Sequence, residues 1–181
     1  AARSKGTPSV GEGAIYPIPW EEVSCKPFPI PGFWRKAYGL DVGWNKTAGI
    51  WLAEDPNTKA LFAYAEYYRG QQVPTVHATA VKARGEWIKG AIDPASRGRS
   101  QDEGKQLLSQ YRDAGLHLKT ANNAVDFGIQ TVWEFLETGR LKFFSTLFNT
   151  EKEYRVYRRQ RKTTEFTDQV AIVKKKDHAM D

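Results

Sequence analysis

Apolar residues recur along this chain in two different periods, and the change of period divides it. Ala37 to Val42, Thr47 to Ala53 and Ala60 to Tyr68 are apolar runs of strand length. Asp55-Pro56-Asn57 between the second and third runs is a turn signal, and Gly43 to Lys46 is a gap of hairpin size. Strands joined by such short gaps predict an antiparallel meander. Beyond Pro74 the spacing lengthens. Thr75 to Ala83 reads as a helix opened by that proline, and Lys89 to Asp93 as a short strand stopped by Pro94. Leu107, Leu108 and Tyr111 mark a helix over Gln101–Ala114. Positions 125, 129, 132, 133 and 136 mark another over Val125–Thr138, and glycines follow both.

Leu116–Thr120 and Leu141–Phe144 read as short strands between these helices. Asn149 to about Arg159 predicts a charged helix, and Thr163–Thr167 a loop. Gln169–Val173 fits helix and strand equally, and Asp177–Asp181 resembles the first turn of a helix. A meander followed by helix–strand repeats predicts an α/β fold. Its sheet is mixed, with three antiparallel strands followed by parallel strands, and helices cover both faces. Residues 1–32 differ. Pro17, Pro19, Pro27, Pro29 and Pro31 deny that stretch both helix and central strand. It reads as an extended Pro-rich arm, a linker from something upstream, with residues 33–181 as the domain.

Composition narrows the classes. The chain has 181 residues, 40% hydrophobic and 27% charged, enough for one domain with a substantial core. No apolar run reaches the roughly 18 residues of a membrane span, and the polar N-terminus lacks a signal-peptide core. Cys25 is the single cysteine, so neither an internal disulfide nor a cysteine zinc site is expected, and a reducing cytosolic setting fits. The net charge of +6 favours a polyanionic partner, nucleic acid foremost.

Against that basic background, some acids stand in unusual places. Asp41 ends the first apolar strand and Asp93 ends the strand before Pro94, although strands tolerate aspartate poorly. If these strands run parallel and adjacent, both carboxylates emerge at the carboxyl end of the sheet, where open α/β folds bind ligands. Two such acids repel, and a divalent cation relieves the repulsion. Asp177 and Asp181 are four apart and share a face of any helix there, with His178 three residues before Asp181. Oxygen-only donors favour Mg²⁺ or Mn²⁺ over zinc. Two such ions support phosphodiester hydrolysis without a nucleophilic serine or a glycine-rich loop.

Cationic residues flank these acids. Arg97 and Arg99 follow Asp93. Arg155, Arg158, Arg159, Arg161 and Lys162 form a second cluster, and Lys174, Lys175 and Lys176 immediately precede Asp177. Such surroundings suit phosphate contacts that carry little sequence information. Arg97 to Lys105 fails as a nucleotide-binding loop. Five residues separate Gly98 from Gly104, and Gln106 stands where serine or threonine would meet the metal. No ATPase site is expected in this chain. His77 and His117 read as structural histidines.

Three segments in order, Gly39-Leu-Asp-Val-Gly-Trp-Asn-Lys-Thr-Ala48, Gly90-Ala-Ile-Asp-Pro-Ala-Ser-Arg-Gly-Arg-Ser100 and Asp177-His-Ala-Met-Asp181, resemble the nuclease domain of the large terminase subunit of tailed bacteriophages. The resemblance runs from about Tyr38 to the end. It implies a ribonuclease-H-like fold and an endonuclease, dependent on Mg²⁺ or Mn²⁺, that cuts concatemeric double-stranded viral DNA during packaging. Asp41 and Asp93 match the first two metal-binding acids. The third falls in the last segment, with Asp181 favoured, His178 beside it and Asp177 the rival. The resemblance also implies partners: double-stranded DNA, an upstream ATPase domain of the same polypeptide joined through the arm, the portal and the small terminase subunit. The setting would be the host cytoplasm. Two other readings share the acids. One is a different nuclease of the same fold, a junction resolvase or hybrid nuclease, separable by substrate competition. The other is a DNA-binding or assembly module with vestigial acids, separable by metal titration.

Overall fold

The computed structural model describes residues 14–93, 101–121, 125–162 and 169–173. The strands are β1 (Ser24–Cys25), β2 (Arg35–Asp41), β3 (Thr47–Glu54), β4 (Leu61–Arg69), β5 (Lys89–Asp93), β6 (Leu118–Thr120), β7 (Leu141–Phe144), β8 (Arg158–Lys162) and β9 (Gln169–Val173). The helices are α1 (Trp20–Val23), α2 (Pro74–Lys82), α3 (Gln101–Asp113), α4 (Val125–Glu137) and α5 (Phe148–Val156). Seven strands form one sheet in the order β1-β7-β4-β3-β2-β5-β6, and β8 pairs with β9 as a separate hairpin.

The meander β2-β3-β4 is antiparallel, as its short gaps predict. β5 joins β2 in parallel on one side, and β7 joins β4 in parallel on the other. The outer strands β6 and β1 are parallel to their neighbours. Alternation along β3 supplies both faces. Trp51 enters a core with Ala78 and Val81 of α2 and Leu108 and Tyr111 of α3. Ile50 and Leu52 pack against the opposite core, with Trp20 of α1, Ile129 and Leu136 of α4 and Tyr154 of α5. Helices thus cover both faces of a mixed sheet, the predicted architecture. Gly115 and Gly139 take φ of +96° and +67° just after α3 and α4, the left-handed position that ends a helix and favours glycine.

The N-terminal reading needs correction. The segment is not outside the core: Ile15, Tyr16, Trp20 and Val23 are all buried. Ile15 N donates to Tyr157 O at 3.1 Å, Tyr154 Oη donates to Ile18 O at 2.9 Å, and Trp20 stacks on Phe143 at 5.2 Å. The prolines break regular structure, leaving one helical turn and a two-residue strand, but the apolar side chains between them still have a sheet face to cover. The C-terminal part differs as well. The charged helix ends at Val156, and Arg158–Lys162 form a strand paired antiparallel with Gln169–Val173, which settles the ambiguity of the latter. No helix among the described residues is long and apolar enough to cross a membrane.

Candidate metal centre and nucleic-acid face

Asp41 is the last residue of β2 and Asp93 the last of β5. The two strands are parallel, and these residues are Cα partners. Neighbouring strands lie about 4.8 Å apart and direct partners project to the same face. The sheet therefore sets two half-buried carboxylates side by side at its carboxyl edge, as the repeated strand-ending acid predicts. The local sequence explains the facing. Tyr38 and Leu40 are buried in the α2/α3 core, so the alternate positions Gly39 and Asp41 turn toward α4. There they line a cavity of about 300 Å³ with Ala48, Ile50, Ala91, Asp93 and Val132. Its apolar walls strengthen any interaction of the carboxylates with a cation.

The row continues across the sheet. Asp41 partners Ala48, and Ala48 partners Tyr68. Tyr68 Oη donates to Glu153 Oε1 of α5 at 2.6 Å, and Glu153 is buried. One step along β4, the Glu66 carboxylate accepts four hydrogen bonds from the start of α5. Asn149 N and Nδ2 donate to Oε1, both at 3.0 Å, and Thr150 N and Oγ1 donate to Oε2 at 2.9 and 2.8 Å. A carboxylate on the first amides of a helix is the arrangement that capping and the helix dipole favour. Sequence reasoning missed Glu66, Tyr68 and Glu153. The available signal was the polar side of β4, where Glu66 and Tyr68 alternate with apolar positions.

Other sequence candidates fall in different places. Asp177, His178, Asp181, Arg97, Arg99, Lys174, Lys175 and Lys176 lie outside the described residues. Among the described residues no group of three or more histidine, cysteine, aspartate or glutamate side chains could hold a metal ion. Arg155 is on α5, ion-paired to Glu21 at 2.6 Å and Glu151 at 2.8 Å. Those carboxylates raise its pKa. Arg158, Arg159, Arg161 and Lys162 lie on β8. His77 is buried in α2, its Nδ1 2.7 Å from Tyr67 Oη. Burial raises the Cys25 thiol pKa and lifts the Tyr38 hydroxyl to about 12.

No protein-family model matches the chain. It is 29% identical over 191 residues to the large terminase subunit of Enterobacteria phage LP7, which covers 99% of the chain but only 38% of that relative's length. The P22 large terminase nuclease domain superposes with a TM-score of 0.79 at 27% identity, over 93% of this chain and 88% of that one. The large terminase nuclease of thermophilic phage G20c, solved with bound magnesium, shares the fold alone. Its TM-score is 0.61 at 14% identity, over 90% of this chain and 88% of that one. The mixed sheet with its two helical layers is a ribonuclease-H-like fold. By sequence along nearly its whole length and by fold, this chain is similar to the nuclease domain of phage large terminase subunits.

Proposed function

We propose that the chain is a divalent-metal-dependent endonuclease domain that cuts concatemeric double-stranded viral DNA during genome packaging. The observation that carries this reading is the in-register placement of Asp41 and Asp93 at the ends of adjacent parallel strands. An oxygen-only pair of this kind fits Mg²⁺ or Mn²⁺, and the G20c nuclease of the same fold holds magnesium. When bound, two such ions would supply an activated water and stabilise the leaving oxygen. Asp41 and Asp93 would hold them. The third carboxylate would come from Asp181, with His178 beside it, or from Asp177.

The protein's own contribution is placement. β2 and β5 fix the two carboxylates to one register, the apolar cavity wall limits competing water, and the basic residues hold the DNA. Arg97, Arg99, Arg158, Arg159, Arg161, Lys162 and Lys174–Lys176 would meet phosphates, without base reading. In the whole polypeptide an upstream ATPase domain would drive packaging, with the portal and small subunit as partners in the host cytoplasm. The test is plasmid cleavage with and without Mn²⁺ or Mg²⁺, comparing the parent with Asp93→Asn. Metal-dependent nicking and linearisation by the parent alone is expected. Equal cutting by both proteins would refute the site.

A further inference from the structure

The turn between β2 and β3 is held more firmly than a hairpin needs. Thr47, 1% exposed, donates its hydroxyl to Gly43 O at 3.1 Å and accepts from Gly43 N at 3.4 Å. Gln71 N donates to Trp44 O at 2.7 Å, with Gln71 itself at φ +55°. The Asn45 carbonyl backs directly onto Gly70, where a Cβ would lie 2.0 Å from its oxygen. This turn begins two residues after Asp41.

What the turn presents on the acid face is Lys46. Its Nζ lies 4.4 Å from the centroid of the Tyr68 ring, and Tyr68 is the far member of the row Asp93, Asp41, Ala48, Tyr68. Direct cross-strand partners share a face, so the ammonium stands on the same side of the sheet as the two carboxylates. Only the Ala48 methyl intervenes in the row. Glu153 receives the Tyr68 hydroxyl, which holds the ring under Lys46. No ion pair engages Lys46 among the described residues. A cation held over an aromatic face beside an acidic centre, without a carboxylate of its own, suits an anion brought by the substrate.

We infer that Lys46 is a phosphate-positioning residue, whose ammonium engages the backbone of the DNA strand lying over the Asp41–Asp93 pair. The inference rests on the nuclease reading above. Tyr68 is two strand spacings from Asp41, about 10 Å. The phosphate addressed is therefore a near neighbour, along the same strand, of the one cut. Lysine, a point charge without the bidentate fork of arginine, grips a phosphate without selecting a base. The pinned turn reduces the ordering that binding would otherwise require.

The experiment measures binding of a short labelled duplex over a range of salt without Mg²⁺ or Mn²⁺, and metal-dependent cleavage kinetics, for the parent, Lys46→Ala and Lys46→Arg. Loss of one phosphate contact makes the log–log salt slope of Lys46→Ala shallower by about 0.9. Its KM rises about tenfold while kcat changes little, the pattern of lost ground-state and transition-state binding alike. Lys46→Arg restores the slope, and the thermal midpoint of Lys46→Ala stays that of the parent. A parental slope in Lys46→Ala overturns the inference while leaving the nuclease reading intact. So does an equal loss in both variants accompanied by a lowered thermal midpoint. A parent that neither binds the duplex nor cuts DNA overturns both.

Discussion

Asp41 and Asp93 are Cα partners on adjacent parallel strands, each the last residue of its strand. A cation shared between them should stabilise the folded chain, because the unfolded chain no longer holds them together. At a free Mn²⁺ concentration of about 100 times Kd, this linkage is worth about 2.7 kcal/mol. Calorimetric melts with and without Mn²⁺ should show a rise in midpoint for the parent and little or none for Asp41→Asn or Asp93→Asn. Full retention of the rise in both variants would place the metal elsewhere.

The register of that pair depends on a glycine. Gly90 faces Tyr38 across β5 and β2, and a Cβ there would lie 2.2 Å from the Tyr38 ring. Tyr38 is buried and stacked on Trp51 at 5.5 Å, so it has little room to retreat. Gly90→Ala should cost about 1–3 kcal/mol through overpacking. It should also cut metal-dependent cleavage, because the strain is relieved by moving β5 against β2. Urea unfolding at an unchanged m-value would report the first effect. A variant as stable as the parent would show that Tyr38 yields freely.

The Glu66 clasp ties α5 to the middle of the sheet through four hydrogen bonds to one carboxylate. Glu66→Gln turns one acceptor into a donor that faces other donors. It should destabilise the fold by about 1–3 kcal/mol, the cost of leaving such groups unmatched. Hydrogen exchange should accelerate first at the amides of Asn149 and Thr150. Unchanged protection there would mean that the sheet holds α5 by apolar packing alone.

Acid sensitivity should come in part from His77. Burial, the largest cause, and the charge of Arg69 lower its pKa below the ordinary 6.5, against a raising contribution from the Gln72 backbone. A group with a depressed folded pKa binds its proton more readily unfolded. Its contribution is therefore intact above about pH 6.5 and lost as the pH falls toward the folded value, with a limiting slope of about 1.4 kcal/mol per pH unit. Denaturant titrations between pH 7.5 and 5 (roughly the histidine range) should give a shallower decline for His77→Phe than for the parent. Parallel declines would assign the acid sensitivity to other groups.

Much of this architecture could be read from the chain, and the exceptions have physical causes. The β2-β3-β4 meander, α3 and α4 follow from apolar period, and the acid pair follows from two strands that each end in aspartate. Arg158–Lys162 carries no apolar alternation, so nothing local marked it as a strand; its pairing with Gln169–Val173 does. Residues 14–25 were obscured by prolines that forbid regular structure without forbidding burial. Glu66 and Tyr68 act on residues more than eighty positions later, and no local pattern shows such partners. The third carboxylate, sought in Asp177–Asp181, lies outside the described residues.

The pairing of β1 with β7 has a practical consequence for where the chain can be shortened. Ser24 and Cys25 cover the outer edge of Phe143 and Phe144, and Trp20 covers the Phe143 ring. A truncation placed at the end of the proline cluster, near Pro31, would look natural from the sequence. It would strip that edge and leave unpaired backbone beside bare aromatic rings, a template for chain-to-chain strand addition. Such a shortened protein should self-associate on purification. A cut placed before Ile15 keeps the sheet margin closed, and light scattering on the two forms would tell them apart.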